Sequence, residues 1–116
     1  MENQLTIDSQ LDEAHGICTI KLTGPLLLSN LFEFQTLLRR QKSHGVVIDL
    51  SEVPYIDSAG IGVLVNGMVS CKNNGRTLVL TGVAERVMNV LKMTRVDQLF
   101  HFANSKADAA ALAAHV

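Results

Sequence analysis

One stretch constrains this chain more than any other: Val46-Val47-Ile48-Asp49-Leu50-Ser51-Glu52-Val53-Pro54-Tyr55-Ile56-Asp57-Ser58-Ala59-Gly60-Ile61-Gly62-Val63-Leu64. Residues 46–50 form a short apolar run rich in β-branched side chains, the pattern of a parallel, central strand buried on both faces. Pro54 blocks both ladder pairing and helix continuation, and apolar periodicity resumes only at Ile61. The stretch therefore reads strand, loop, helix, with Ser58 at the helix start. The first turn of a helix carries unpaired N–H groups and a partial positive charge, so an anion is favoured there. A hydroxyl at that position can cap the helix, or it can receive a phosphoryl group whose oxygens meet the same donors. Local chemistry leaves both readings open.

The remaining chain supplies partners for that strand. Leu5-Thr6-Ile7 alternates as a strand, Asp12-Glu13-Ala14-His15-Gly16 offers turn chemistry, and Cys18, Ile20 and Leu22 share one face of a second strand. Asn30 and Glu33 form a candidate capping pair for a helix running to about Lys42, with Leu31, Phe34 and Leu38 on its apolar face. Arg39, Arg40 and Lys42 then fall in its last turn, where cations suit the dipole; phosphate binding is the lesser reading of that cluster. The helix over 58–73 is apolar almost all round, which predicts deep burial. Its Gly60, Gly62 and Gly67 each cost roughly 1 kcal/mol of helix propensity relative to Ala, so a close approach by backbone or by a partner should compensate. Asn73-Asn74-Gly75 ends it. Leu78-Val79-Leu80 is a further buried strand, followed by a helix with Val83, Val87, Val90 and Leu91 at helical spacing. Met88 and Met93 read as core or edge filler. Leu99-Phe100-His101-Phe102 gives a last strand with His101 outward, and Ser105 with Asp108 caps an Ala-rich final helix. The order β-β-α-β-α-β-α-β-α predicts an α/β fold with a mixed, mainly parallel sheet and helices packed on it, the first strand antiparallel at one edge.

Composition narrows the function classes. The 116 residues suit a single domain spanning 1–116, and 47% hydrophobic with 18% charged residues marks it as globular. Ten Lys and Arg against eleven Asp and Glu give a net charge of -1, with no electrostatic footprint for nucleic acid or an anionic membrane. Proteins are the expected partners. Cys18 and Cys71 form neither a C-x-x-C pair nor a metal-ligand spacing, the N-terminus lacks a signal-peptide pattern, and no apolar run approaches the ~20 residues of a membrane span. A cytoplasmic protein with reduced thiols, no direct membrane insertion, no cofactor and no metal is the expectation. Catalysis finds no support either. The nucleophile elbow lacks its leading Gly at Ile56-Asp57-Ser58-Ala59-Gly60, there is no Gly-Lys-Ser or Gly-Lys-Thr of a P-loop, and Asp49 or Asp57 as a receiver-domain phosphoacceptor lacks the acidic pair after the first strand and the later strand-end lysine.

Ile56-Asp57-Ser58-Ala59-Gly60-Ile61-Gly62-Val63-Leu64, preceded by a strand ending Asp49-Leu50, resembles the signature of the STAS domain of bacterial anti-sigma-factor antagonists. Leu22-Thr23-Gly24 and residues 91–100 extend the resemblance over nearly the whole chain. The resemblance implies helices on one face of the sheet and Ser58 as the site phosphorylated by a partner kinase. It further implies a transcription-regulating interaction switch that binds an anti-sigma serine kinase while Ser58 is unphosphorylated. Asp57 would cap the helix or orient Ser58 and help kinase recognition, and Ala59, Gly60 and Gly62 would lie where the partner approaches. The chain departs from the family at Pro25-Leu26-Leu27-Leu28-Ser29, where relatives carry a polar loop. Leu27 and Leu28 are either a core plug or a hydrophobic docking surface. The alternative function is a constitutive STAS scaffold or ligand-binding subunit of a lipid-transport or stress-signalling assembly.

Overall fold

The computed structural model describes residues 4–114. Residues 45–50, apolar on both alternating sides except for Asp49, are all buried, and they form the middle of a five-stranded sheet. Its strands are β1 (Thr6–Asp12), β2 (Ile17–Thr23), β3 (Gly45–Glu52), β4 (Thr77–Thr81) and β5 (His101–Ala103), lying side by side in chain order. β1 pairs antiparallel with β2 through the expected hairpin, and the other three pairings are parallel. Gly16 turns the hairpin with φ of 65°, and the His15 ring nitrogen sits 2.8 Å from the Asp12 carboxylate.

Register decides which side chains meet. Cys18 pairs with Val46, Ile20 with Ile48, and Val46 with Leu78, so these residues share one face. Three helices cover it: α1 (Phe32–Arg40), α2 (Ser58–Asn73) and α3 (Glu85–Met93). They contribute Phe34, Ile61, Leu64, Met68, Val87 and Leu91 to the main core. The opposite face is not left to solvent. Ile17, Val47 and Val79 pack against Ala109 and Ala113 of α4 (Lys106–Ala114), so helices lie on both faces and the one-sided arrangement implied by the resemblance is corrected. Small side chains allow this close seat, since a Cβ on Gly45 would stand 2.8 Å from both the Cβ and the carbonyl oxygen of Ala113. One ion pair fixes the helix's start: Lys106 Nζ lies 3.3 Å from Asp49 Oδ2, while the Ser51 N–H donates to Asp49 Oδ1 at 2.9 Å. Burial pushes the Asp49 carboxyl up, but the Ser51 N–H and hydroxyl and the Lys106 ammonium outweigh it and hold the acid below the usual range.

Several local expectations change in detail. α1 begins at Phe32 with Leu31 in the capping position and no side-chain cap; Asn30 instead accepts from the Leu27 N–H and donates to the Pro25 carbonyl. The short amide side chain closes a turn before the helix rather than its first turn. α1 ends at Arg40, leaving Lys42 beyond its last turn. α2 is less buried than its composition suggests, because it touches the sheet on one side only: Val69 is exposed while Leu64 and Cys71 are buried. Its C-terminus closes with Arg76 N–H on the Cys71 carbonyl and Gly75 N–H on that of Lys72, Gly75 having φ of 69°. Met93, expected as filler, is 82% exposed, and Leu99 lies in a 3-10 turn before β5. His101 points outward as expected, and Ser105 Oγ accepts from the Asp108 N–H. Among the described residues no helix is long and apolar enough to cross a membrane.

The seat of α4 makes a testable demand. Gly45→Ala forces the Ala113 backbone away from the sheet, and overpacking of this kind costs about 1–3 kcal/mol. Urea unfolding followed by circular dichroism should register that loss as a lower midpoint.

Candidate functional site

The loop leaving β3 and the loop entering α1 meet at the start of α2, and backbone bonds hold them together. Leu26 and Ile56 form an isolated parallel bridge, with the Leu26 N–H donating to the Tyr55 carbonyl and the Asp57 N–H donating to the Leu26 carbonyl. Asp57, in extended conformation, is the N-cap of α2. Its Oδ1 accepts from the Gly60 N–H at 2.9 Å and its Oδ2 accepts from the Leu28 N–H at 3.0 Å. One carboxylate thus caps the helix and ties residues 26–28 to it. Partial burial raises the Asp57 carboxyl, but the N–H groups of Leu28, Gly60 and Ala59 outweigh it, and the acid lies below the ordinary aspartate range.

Gly60 makes this junction possible. It is buried, and a Cβ there would stand 2.5 Å from the Leu26 carbonyl oxygen. The close approach expected at this glycine is therefore made by the chain's own backbone. Gly62 differs: nothing lies within 4 Å of where its Cβ would be. Four residues after Ser58, it shares the same helix face one turn along. Gly67 meets Leu38 of α1, so its role is helix packing.

Ser58 is the first residue of α2, one position inside the cap, and it is exposed. The capping function belongs to Asp57, which leaves the Ser58 hydroxyl free of that duty. Ala59 is half-buried beside it. The leucine trio divides three ways: Leu26 is completely buried, Leu27 half-buried and Leu28 74% exposed. Leu26 is the one that plugs the core, and Leu28 is the one left at the surface. Phe32 at the start of α1 is 77% exposed, and the sequence reading missed it. A signal was present, since Phe32 lies about 200° around the helix from Phe34 and so falls off the Leu31-Phe34-Leu38 stripe. Beyond the loop, the Arg86 guanidinium lies 5.2 Å above the Tyr55 ring. Among the described residues no group of three or more His, Cys, Asp or Glu is placed to hold a metal ion.

The sign of the Asp57 contribution is fixed by its depressed folded-state pKa. It is fully present above the unfolded value of about 3.9 and is lost as pH falls through the folded value. Asp57→Ala should therefore lower stability by about 1–2 kcal/mol near neutral pH. The gap from wild type should narrow as pH is taken below about 4 in parallel thermal melts.

The fold is shared. A family model described as the STAS domain matches residues 8–109. The anti-sigma-B factor antagonist of Staphylococcus epidermidis is 29% identical over 85 residues, covering 71% of this chain and 79% of the relative. A crystal structure of a putative anti-sigma factor antagonist from Thermotoga maritima superposes with a TM-score of 0.84 at 21% identity, covering 92% of this chain and 93% of that one. The murine solute carrier 26 family member A9 anion transporter contains a similar fold, with a TM-score of 0.75 at 19% identity over 97% of this chain but only 22% of the transporter. By the family match and the fold together, the chain belongs to the STAS domain family.

Proposed function

We propose that residues 1–116 act as one STAS module, an anti-sigma-factor antagonist whose partner is an anti-sigma serine kinase and whose switch is Ser58. The observation that carries this reading is an exposed hydroxyl at the first residue of α2, relieved of capping by Asp57, whose carboxylate also holds the loop that exposes Leu28. The name of the Staphylococcus epidermidis relative supports the pathway. In this reading the unphosphorylated rim, made by Ser58, Ala59, Gly62, Leu27, Leu28 and Phe32, docks on the kinase. Asp57 and Gly60 hold that rim in shape. The chemistry is the kinase's; this chain supplies the acceptor.

Magnitudes explain why one hydroxyl suffices. Phosphorylation adds about -1.5 to -2 charges. At an exposed helix start that charge stays hydrated and gains about 0.3–1 kcal/mol from the dipole, so the fold tolerates it. In a closed interface the same ion left unpaired costs about 3–5 kcal/mol, and each 1.4 kcal/mol is about tenfold in affinity. Binding should respond where folding does not.

The exposed Leu28 and Phe32 also favour a second reading, a constitutive scaffold or ligand-binding subunit in which apolar contact alone holds the partner. A pull-down from native-host lysate with wild-type, Ser58→Ala and Ser58→Asp baits separates the two. Retention of a kinase-like ATPase by wild type and Ser58→Ala, with loss by folded Ser58→Asp, supports the switch; equal retention of a transporter or scaffold protein by all three supports the second reading. In either case Leu28→Ser with Phe32→Ser should weaken the complex at least tenfold while leaving the thermal midpoint unchanged, because both side chains are already in water.

A further inference from the structure

The C-terminal half of α2 and the facing side of α1 do not close on each other, and a cleft of about 260 Å³ remains between them. Gly67 lines it beside Leu38 of α1, whose Cδ1 would stand 3.1 Å from a Cβ on the glycine. The floor is apolar, made by Val46 of β3 with Val63 and Cys71 of α2. The mouth is not. Arg39, exposed in the last turn of α1, and Arg76, half-buried before β4, both line it. Arg76 is held in place, with Nη1 donating to the Gln41 carbonyl at 2.7 Å and the Ser43 carbonyl at 3.4 Å. Among the described residues neither arginine has a carboxylate within ion-pair distance. Two guanidinium groups without an acidic partner, beside an apolar cavity, form a cationic mouth on a hydrophobic floor.

We infer that this cleft binds a small amphiphilic carboxylate, its headgroup at Arg39 and Arg76 and its aliphatic or aryl body against Val46, Val63 and Cys71. A planar guanidinium donates to a carboxylate through two parallel N–H bonds, and a fixed one does so with less ordering cost. The volume lies just under the 300–1,000 Å³ range of ordinary ligand pockets, which restricts the body to a short chain or a single ring. The cleft lining on α2 runs from Val63, next to Gly62 of the rim, to Cys71; it does not include Ser58, and the inference does not depend on the switch.

Octanoate is a suitable probe, with octanol and inorganic phosphate as the two halves of its chemistry. Calorimetric titration of the full chain should give saturable one-to-one binding of octanoate, at least tenfold tighter than either control. Amide chemical-shift changes in ¹⁵N-labelled protein should centre on Gly67, Ser70 and Cys71. Arg39→Gln, at an exposed position, should weaken octanoate at least fivefold. Ser70→Phe, also exposed, should block the mouth and abolish binding with the melting temperature retained. Absence of saturable binding to wild type, shifts centred elsewhere, or octanol binding as tightly as octanoate would overturn the inference. The wild-type shift map decides the location even if Ser70→Phe fails to fold.

Discussion

Because residues 45–50 are all buried, β3 needs a layer of side chains on each side, and the rest of the chain is arranged to supply them. Its even-numbered face carries Val46, Ile48 and Leu50, the bulky surface onto which α1, α2 and α3 pack. Its odd-numbered face offers Val47 beside Ile17 and Val79, a shallower apolar strip that an Ala-rich helix can cover at short range. The same strand then has to deliver the chain to α2. It does so by a loop whose backbone groups are satisfied by Leu26, so the core strand and the helix start become one rigid unit.

The rim around Ser58 follows from that rigidity. Asp57 satisfies one orphan N–H of α2 and one N–H of the incoming loop, so the two segments cannot move independently without unpairing a carboxylate. Gly60 lets the loop lie against the helix and Asp57 fastens it there. With these interactions directed inward, the side chains left facing solvent include Ser58, Leu28 and Phe32. In the proposed reading, an exposed hydroxyl near exposed Leu28 on a hydrogen-bonded backbone suits recognition by a protein surface, since little ordering is required on binding.

Much of this was legible in the sequence because local signals and the fold agreed. Alternation marked Cys18, Ile20 and Leu22; the β-branched run marked β3; Asn73-Asn74-Gly75 marked the end of α2; and Asp57 with Ser58 marked its start. Where the reading failed, a tertiary competitor had won. Asn30 had the spacing of a cap, yet the Pro25 turn claimed both ends of its amide. The side taken by α4 was open in the residues, because alanines at 109 and 113 fit either face, and the choice rests on Gly45 and on the Lys106–Asp49 pair, which no local pattern reveals. The three leucines could not be apportioned without knowing that residue 26 bridges to residue 56. Which of the rim residues a partner touches is a property of the complex, and a single sequence carries only their chemistry.

The central claim is that a charge at Ser58 changes binding and leaves folding intact. The most direct test is to phosphorylate the purified chain with its cognate kinase, map the modified residue by mass spectrometry, and measure both the melting temperature and the kinase affinity of the product against the untreated protein. The account predicts phosphate on Ser58 alone, a melting temperature within a few degrees of the untreated value, and affinity lowered by roughly a hundredfold or more, which corresponds to about 3 kcal/mol. Phosphate on another residue, loss of the folded state, or unchanged affinity would contradict it.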